Sequence, residues 1–145
     1  MITTNAEDKR VLMQIANLNF SMREGVRVGW KEVGSRLVLE LRKQTLEKPK
    51  AGRLYRIGGR LHRASKAGET PAARTGAGGR NYTRQTSFES NASQLIFGNR
   101  AIYAKWLEDG TRKMAARNGL KNAIDAQQNE LPSIMQKEID RQIKK

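Results

Sequence analysis

The feature that most constrains the fold is a long stretch, poor in apolar residues, that divides the sequence. Residues 48–81, KPKAGRLYRIGGRLHRASKAGETPAARTGAGGRN, contain seven of the 13 glycines and two of the three prolines. Only four of its residues offer sizeable apolar surface to a core: Leu54, Tyr55, Ile57 and Leu61. A stretch this long with so little to bury is typical of a functional loop or a disordered segment. We therefore predict an extended basic arm over 48–81, with one short strand at 54–57.

Before this arm, apolar residues recur with the period of an α-helix. Segments 7–24 and 26–47 are both predicted to be helical. The second has one apolar stripe, with spacings of four, three, four and four residues: Val26, Trp30, Val33, Leu37 and Leu41. The glycines Gly25, Gly29 and Gly34 weaken the helix locally and favour a kink. Pro49 predicts the end, because the residue before a proline avoids the helical region.

After the arm, the period changes from helix to strand. Residues 82–100 are rich in Thr, Tyr, Phe and Ile, which predicts an antiparallel hairpin with Asn91 between its strands. Residues 101–108 predict a short helix closed by a turn at Asp109-Gly110.

A longer helical pattern covers residues 119–144, and Pro132 predicts a kink in it or its division into two helices. The sequence thus indicates a single α+β domain over residues 1–145. It consists of an N-terminal helix, the long basic arm, a small antiparallel sheet and a C-terminal helix.

The sequence offers almost no residue types for catalysis. There is no cysteine, which excludes disulfides, thiol nucleophiles and cysteine metal sites. His62 is the only histidine, and its neighbours are arginines rather than a carboxylate that would orient it as a general base. Glu108 and Asp109 are adjacent and do not face a common point on a helix. The glycine-rich pieces lack the Gly-Lys-Ser/Thr ending of a phosphate loop. We predict neither an enzyme, nor a cofactor, nor a metal site.

Targeting signals are not expected either. The first residues, MITTNAEDKR, carry charges where a secretion signal needs an apolar segment. The sequence has no apolar run approaching the roughly 18–20 residues of a membrane span. These patterns predict a protein made in the cytoplasm that makes no contact with a membrane.

Positive charge is concentrated in the middle of the chain. The net charge is +14, and residues 51–100 have nine basic and two acidic side chains. Arginines there are interleaved with Tyr55 and Tyr82 and stand at positions 53, 56, 60, 63, 74, 80 and 84. Such a segment binds phosphates and stacks on bases in some nucleic-acid-binding proteins. It equally suits docking on an acidic protein surface, and composition alone does not separate the two.

The arm and the segment after the predicted hairpin contain motifs that resemble those of a known protein family. GRLYRIGGRLHRASKAGETPAARTG, followed by YAKWLEDGTRKMAAR, resembles the tail-completion and neck proteins of long-tailed bacteriophages. The shared pieces, in order, are a Gly-Arg-Tyr entry, His-x-Ala-Ser, Gly-x-x-Pro-Ala, Thr-Gly, Tyr-Ala, Glu-x-Gly-Thr and Met-Ala-Ala-Arg. They cover roughly residues 50–125. After Arg117 the family commonly continues with Pro-Phe and another Pro, whereas this chain continues with Asn118-Gly119-Leu120.

The resemblance implies a non-enzymatic virion protein. It would form a ring of six copies, or alternatively of twelve, that joins head and tail around the DNA channel. Its partners would be neighbouring neck and tail proteins, with DNA passing through and contacted without sequence preference. The alternative that composition supports is a basic nucleic-acid-binding module.

Two sets of residues follow from this interpretation. The subunit or partner interface is predicted to involve the arm and the charged turn: Arg53, Tyr55, Arg56, Arg60, His62, Arg63, Glu108, Asp109, Arg112, Lys113 and Arg117. An acidic edge at Glu108-Asp109 would face basic groups of the next copy, and a turn of solvated charges explains these residues equally well. The core is predicted to include Trp30, Leu37, Leu41, Tyr103, Trp106 and Leu107.

Overall fold

The structure, a computed structural model, describes residues 6–72 and 77–145 and has the predicted mixed α+β class. Most of it is helical, and two small antiparallel sheets of two strands each accompany the helices. The helices are α1 (Ala6–Leu46), α2 (Ala77–Gln85), α3 (Ala104–Asp109), α4 (Gly119–Gln127) and α5 (Leu131–Ile143). The strands are β1 (Leu54–Ile57), β2 (Arg60–Arg63), β3 (Thr86–Ser90) and β4 (Leu95–Asn99).

The N-terminal region forms one helix of 41 residues, so the predicted division at Gly25 is wrong. Its glycines instead allow a close approach of α5. A Cβ atom on Gly25 would lie 2.6 Å from the Cα atom of Ile139, and one on Gly29 would lie 2.7 Å from the sulfur of Met135. Since the positions on α5 fall as those on α1 rise, the two helices run antiparallel. The end of α1 just before Pro49 agrees with the prediction.

The apolar stripe of α1 forms the centre of the core. Val33, Leu37 and Leu41 are buried, and α4, α5 and the β3–β4 sheet cover them. Leu41 packs with Tyr82, Ala104 and Ala123, while Val33 and Leu37 pack with Ile134. The predicted core residues Leu37 and Leu41 are therefore confirmed.

The aromatic and leucine side chains expected in the core divide into two groups. Trp30, Tyr103 and Leu107 are partly buried and pack against these clusters. Trp106 is 56% exposed, so its assignment to the core is wrong. On the six-residue helix α3 it lies on the outer side, while Ala104 faces the core.

The predicted hairpin over residues 82–100 is shorter than expected. Strands β3 and β4 pair with Phe88 opposite Phe97, and Asn91 accepts backbone N–H bonds from Ser93 and Gln94 in the connecting turn. Residues 82–85 belong to α2 instead, because Tyr82 is drawn into the core.

The division of the C-terminal region at Pro132 is confirmed. Pro132 lies in the first turn of α5, where its missing N–H removes no helical hydrogen bond. Both α4 and α5 pack on α1. Within residues 6–72 and 77–145, no helix carries a continuous apolar stretch of membrane-spanning length.

Candidate functional site

The basic arm begins with a β-hairpin formed by β1 and β2. The sequence predicted the first strand, at 54–57, and missed the second. Strand β1 pairs with β2 in the register Tyr55 opposite His62 and Ile57 opposite Arg60. The two residues between the strands, Gly58 and Gly59, have φ angles of 54° and 79°. Positive φ at both central positions is the signature of the tight two-residue turn that joins antiparallel strands.

The two faces of this hairpin differ. Directly paired residues share a face, so Tyr55, His62, Ile57 and Arg60 lie on one side. The Tyr55 and His62 rings stack there with centroids 5.7 Å apart, and they are the only partly buried residues of the two strands. All four residues of the opposite face are exposed, and they are two leucines and two arginines: Leu54, Arg56, Leu61 and Arg63.

The hairpin is strongly basic. It contains Arg53, Arg56, Arg60 and Arg63, and the sequence has no acidic residue between Glu47 and Glu69. Within the part of the chain that the structure describes, no carboxylate forms an ion pair with these arginines. Both outer edges of the hairpin also lack a partner strand among the described residues. The hairpin therefore presents arginines, leucines and unpaired backbone groups together.

Residues 64–72, which we call the clamp, hold the base of the hairpin to the core. Glu69 accepts hydrogen bonds from the backbone N–H groups of Lys66, at 2.7 Å, and Ala51, at 3.2 Å. These bonds hold the pKa of the Glu69 carboxyl below its ordinary value of 4.5. The predicted extended loop is thus an ordered structure over residues 51–72.

A second set of bonds joins the clamp to the end of α1. The Lys50 ammonium donates to the backbone oxygen of Gln44 at 2.7 Å and to Thr70 Oγ1 at 2.6 Å. Thr70 Oγ1 also donates to the same Gln44 oxygen, at 2.9 Å. Burial lowers the pKa of the Lys50 ammonium, and nearby Glu69 opposes this shift. Lysine 50 thus acts within the chain and is not part of the exposed basic surface.

The clamp also binds the segment after α3. Arg117 Nη1 donates to the backbone oxygen of Ser65 at 2.7 Å, and the N–H of Gly68 donates to the oxygen of Ala116 at 2.8 Å. Asn122 Nδ2 donates to the oxygen of Gly68 at 2.6 Å. Two sequence motifs some 50 residues apart, HRAS and MAAR, are therefore fastened together. Arg117 thus holds two segments of the fold together, and its place at a subunit interface stays a prediction.

A groove of about 670 Å³ opens between the hairpin and the core. Five of the sequence-predicted residues line it, and they come from both motif segments: Arg53, Tyr55, Tyr103, Leu107 and Arg117. Pro71, Tyr82 and Met114 complete much of its apolar wall. The hairpin, the clamp and this groove form the candidate site.

Glu108 is not part of an acidic surface edge, and that prediction is wrong. Its carboxylate accepts hydrogen bonds from the hydroxyl of Tyr82 and, at 3.1–3.2 Å, from the N–H of Leu120. Leu120 lies in the first turn of α4, where backbone N–H groups have no partner within the helix. Burial and the bond to Glu108 raise the pKa of the Tyr82 phenol.

The rest of the charged turn is on the surface, as expected for an interface or a solvated turn. Asp109, Arg112 and Lys113 are exposed. Gly110, at φ 78°, ends α3, and the N–H of Thr111 donates to the oxygen of Met114 at 2.7 Å. Arg74 of the predicted arm lies outside the described residues, as do Thr75 and Gly76 of the family motif.

Sequence reasoning missed the residues that fasten the site. Lys50, Glu69, Thr70 and Asn122 act through specific side-chain hydrogen bonds, mostly to backbone groups of other segments, and such bonds leave no periodic signal. The described residues also gather no three His, Asp or Glu side chains where they could bind one metal ion.

Comparisons of this chain with protein-family models, with curated proteins and with solved structures find no match.

Proposed function

We propose that the chain is a structural protein of the phage virion, located at the neck or tail-completion region, where it forms a ring that joins head and tail. The ring would have six copies, or alternatively twelve, and would surround the channel through which DNA passes. The protein would act by assembly and not as an enzyme. Its partners would be further copies of itself and neighbouring neck and tail proteins.

The observation that carries this proposal is the construction of the basic hairpin. The motif segments that carry the resemblance meet at the Arg117–Ser65 and Gly68–Ala116 hydrogen bonds, so they form one unit. That unit holds the hairpin at its base and leaves its outer face open. A rigidly held projection suits a docking function because little conformational entropy is lost when a partner binds.

The composition of the open face favours a protein partner over DNA. Leu54 is 50% exposed and Leu61 is 65% exposed, and both lie beside arginines. Apolar side chains mixed with arginine are typical of the centre of protein interfaces. Tyr55 is already stacked on His62, which leaves less ring surface for a base. An acidic protein surface with apolar contacts would therefore complement this hairpin better than phosphates alone.

The second candidate is a nucleic-acid-binding module. It is favoured by the net charge of +14 and by hairpin arginines that no described carboxylate neutralises. Such binding would be electrostatic, so log affinity would fall steeply with log salt concentration.

One experiment separates the two candidates. Light scattering after size exclusion gives the mass of the protein at low salt and at about 0.15 M salt, with and without a short DNA duplex. Electron microscopy of the same fractions gives the particle shape. We expect closed rings of defined mass that do not bind the duplex at the higher salt. A monomer that binds the duplex and is released by salt would reject the ring and support the nucleic-acid module.

A charge-reversed hairpin tests the docking role. Arg56→Glu with Arg60→Glu would be compared with Lys121→Glu and Lys137→Glu, an equal charge change on exposed residues away from the hairpin. In phage lysates lacking this protein, the hairpin variant should fail to restore infectious particles, while the control variant should restore them. Equal restoration by both variants would show that the hairpin does not dock a virion partner.

A further inference from the structure

The N-terminal part of α1 extends beyond the rest of the molecule. Helix α5 meets α1 at Met135 opposite Gly29 and at Ile139 opposite Gly25, and it ends at Ile143. Every residue from 8 to 20 is exposed. At 1.5 Å per residue, this extension is about 20 Å long.

The extension is apolar to a degree unusual for exposed helix. Seven large apolar side chains between positions 11 and 22 are 43–68% exposed: Val11, Leu12, Met13, Ile15, Leu18, Phe20 and Met22. Exposed apolar side chains are usually scattered singly on soluble proteins, whereas these seven fall within twelve residues of one helix. Such a patch marks an interaction site.

One face of the extension continues the contact that α5 makes with α1. Val11, Ile15, Leu18 and Met22 follow spacings of four, three and four residues. The same stripe goes on through Gly25, Gly29 and Val33, where α5 covers it. Alternating spacings of three and four are typical of a seam that receives another helix. The part of the seam before Met22 therefore has the pattern for a helix, and none of the described elements occupies it.

A second apolar face lies on the other side of the same helix. Leu12, Ala16 and Phe20 follow spacings of four and four, and Met13 lies beside Phe20. Leu18 and Phe20 are about 200° apart around the axis at 3.6 residues per turn. The apolar surface thus reaches from Leu18 around to Phe20 and covers more than half of the helix circumference. It needs a neighbour on more than one side, which a two-fold dimer through a single face would not supply.

The charge pattern indicates what these neighbours are. Residues 11–22 contain no Lys, Arg, Asp or Glu, in a chain with 28 basic and 14 acidic residues. Copies with a net charge of +14 repel each other over most of their surfaces. The uncharged extension is where copies can meet without this repulsion, whereas it offers nothing to an acidic partner or to DNA.

We propose that the extension of α1, residues 8–22, is the contact between copies of this chain. The face with Leu18 on one copy packs against the face with Phe20 on the next, which makes a head-to-tail contact that repeats around an axis. This proposal rests on the ring of the proposed function and assigns the surface that builds it. The basic hairpin then stays available for other virion proteins.

Three variants test the contact by the mass of the protein in solution. Leu18→Glu places a charge on the first face and Phe20→Glu places one on the second. Gln14→Glu adds the same charge on the polar stripe of the helix, formed by Arg10, Gln14, Asn17 and Ser21. We expect the wild type and Gln14→Glu to form the same oligomer and the two face variants to be monomers. Since all three positions are exposed, circular dichroism should show unchanged folding.

Mixing the two face variants tests the head-to-tail arrangement. Each variant keeps one intact face, so a one-to-one mixture should form a heterodimer and stop there. Dimers of the Phe20→Glu variant alone would instead show that like faces pair, which would overturn the head-to-tail contact.

The outcomes also separate this inference from the ring. If both face variants keep the wild-type oligomer, the contact lies elsewhere and the inference fails, while the ring proposal survives. If the face variants are monomers but the wild-type particles are open chains or compact bundles rather than rings, the contact stands and the ring is wrong. A wild type that is monomeric at every salt and protein concentration tested overturns both.

Discussion

A single glutamate shows how residue-scale prediction succeeded and failed. The sequence suggested that Glu108 and Asp109 form one acidic surface edge. Asp109 is exposed, but Glu108 turns inward to Tyr82 and the first turn of α4. Its two partners lie 26 residues before it and 12 residues after it, and neither spacing has a periodic signature. Side chains that act through one specific bond are the part of a site that pattern analysis cannot find.

Removing the Tyr82 hydroxyl should measurably destabilise the fold. The Tyr82→Phe variant leaves the Glu108 carboxylate without one of its donors in a partly buried position. Hydrogen bonds to charged groups contribute about 1.5–3 kcal/mol, so we expect a loss of that order in the free energy of unfolding. Tyr103→Phe is the control, since its hydroxyl accepts an exposed bond from Asn81. Equal losses in urea unfolding of the two variants would contradict the role of Glu108.

The hydrogen bonds of Glu69 in the clamp should make the stability of the fold depend on pH. The folded pKa of Glu69 is below its ordinary value, so its stabilising contribution is present above the unfolded pKa of about 4.3. It is lost as the pH falls through the lower, folded pKa. We expect the difference in unfolding free energy between the wild type and Glu69→Gln to shrink as the pH falls below about 4. A difference that stays constant down to pH 2 would mean that the carboxylate charge contributes nothing.

At the scale of elements, hydrophobic periodicity predicted the long helices that have a continuous apolar face. The stripe through Val33, Leu37 and Leu41 gave the buried face of α1, and Pro132 gave the division between α4 and α5. Strand β2 was missed because three of its four residues are Arg60, His62 and Arg63, and an exposed hairpin has no apolar alternation to detect. The Gly58-Gly59 pair was the available signal, since it is a common two-residue hairpin turn.

The hairpin turn should discriminate between residue types. No atom lies within 4 Å of a Cβ built on Gly58, so only the backbone conformation limits substitution. Asparagine tolerates positive φ, whereas a β-branched residue there is strained by about 1–2 kcal/mol. We expect amide exchange in the hairpin to be as slow in Gly58→Asn as in the wild type and to be faster in Gly58→Val. Equal exchange rates in both variants would rule out the proposed turn geometry.

Adding a single methyl group within the α1–α5 contact should destabilise the fold. In an exposed helix, replacing glycine with alanine gains about 1 kcal/mol. At Gly25 the new Cβ would lie 2.6 Å from a backbone atom of Ile139, so α5 must shift and Gly25→Ala should lower the melting temperature. Asn19→Ala, on the exposed extension of the same helix, is the control and should not lower it. A Gly25→Ala variant as stable as the wild type would mean that α5 is not seated as described.

For the whole molecule, composition indicated that the chain meets something anionic but not where. The structure separates two surfaces: a basic hairpin held at its base by the clamp, and a helical extension at residues 8–22 that carries no charge from residue 11 onward. The extension escaped sequence analysis because its apolar residues read as an ordinary amphipathic helix. The end of α5 at Ile143 shows that none of the described elements covers them.

These two surfaces should act independently. Reversing charge at Arg56 and Arg60 should leave the oligomer mass unchanged, because the proposed contact between copies lies on α1 and not on the hairpin. Leu18→Glu should abolish the oligomer without altering the hairpin. Higher salt should strengthen the oligomer, since it screens the repulsion between copies of net charge +14. An oligomer that dissociates with added salt would indicate a contact between opposite charges instead.

The antiparallel seating of α5 on α1 also sets the order in which the chain can fold during synthesis. The contact between Gly25 and Ile139 joins positions separated by more than 100 residues. At 5–20 residues per second, a ribosome needs about 6–23 s to make the intervening chain. During that interval Val33 and Leu37 have no α5 to cover them. The nascent chain thus carries two uncovered apolar stretches on one helix. The α5 segment later covers one, and the other is the stretch proposed to meet a neighbouring copy.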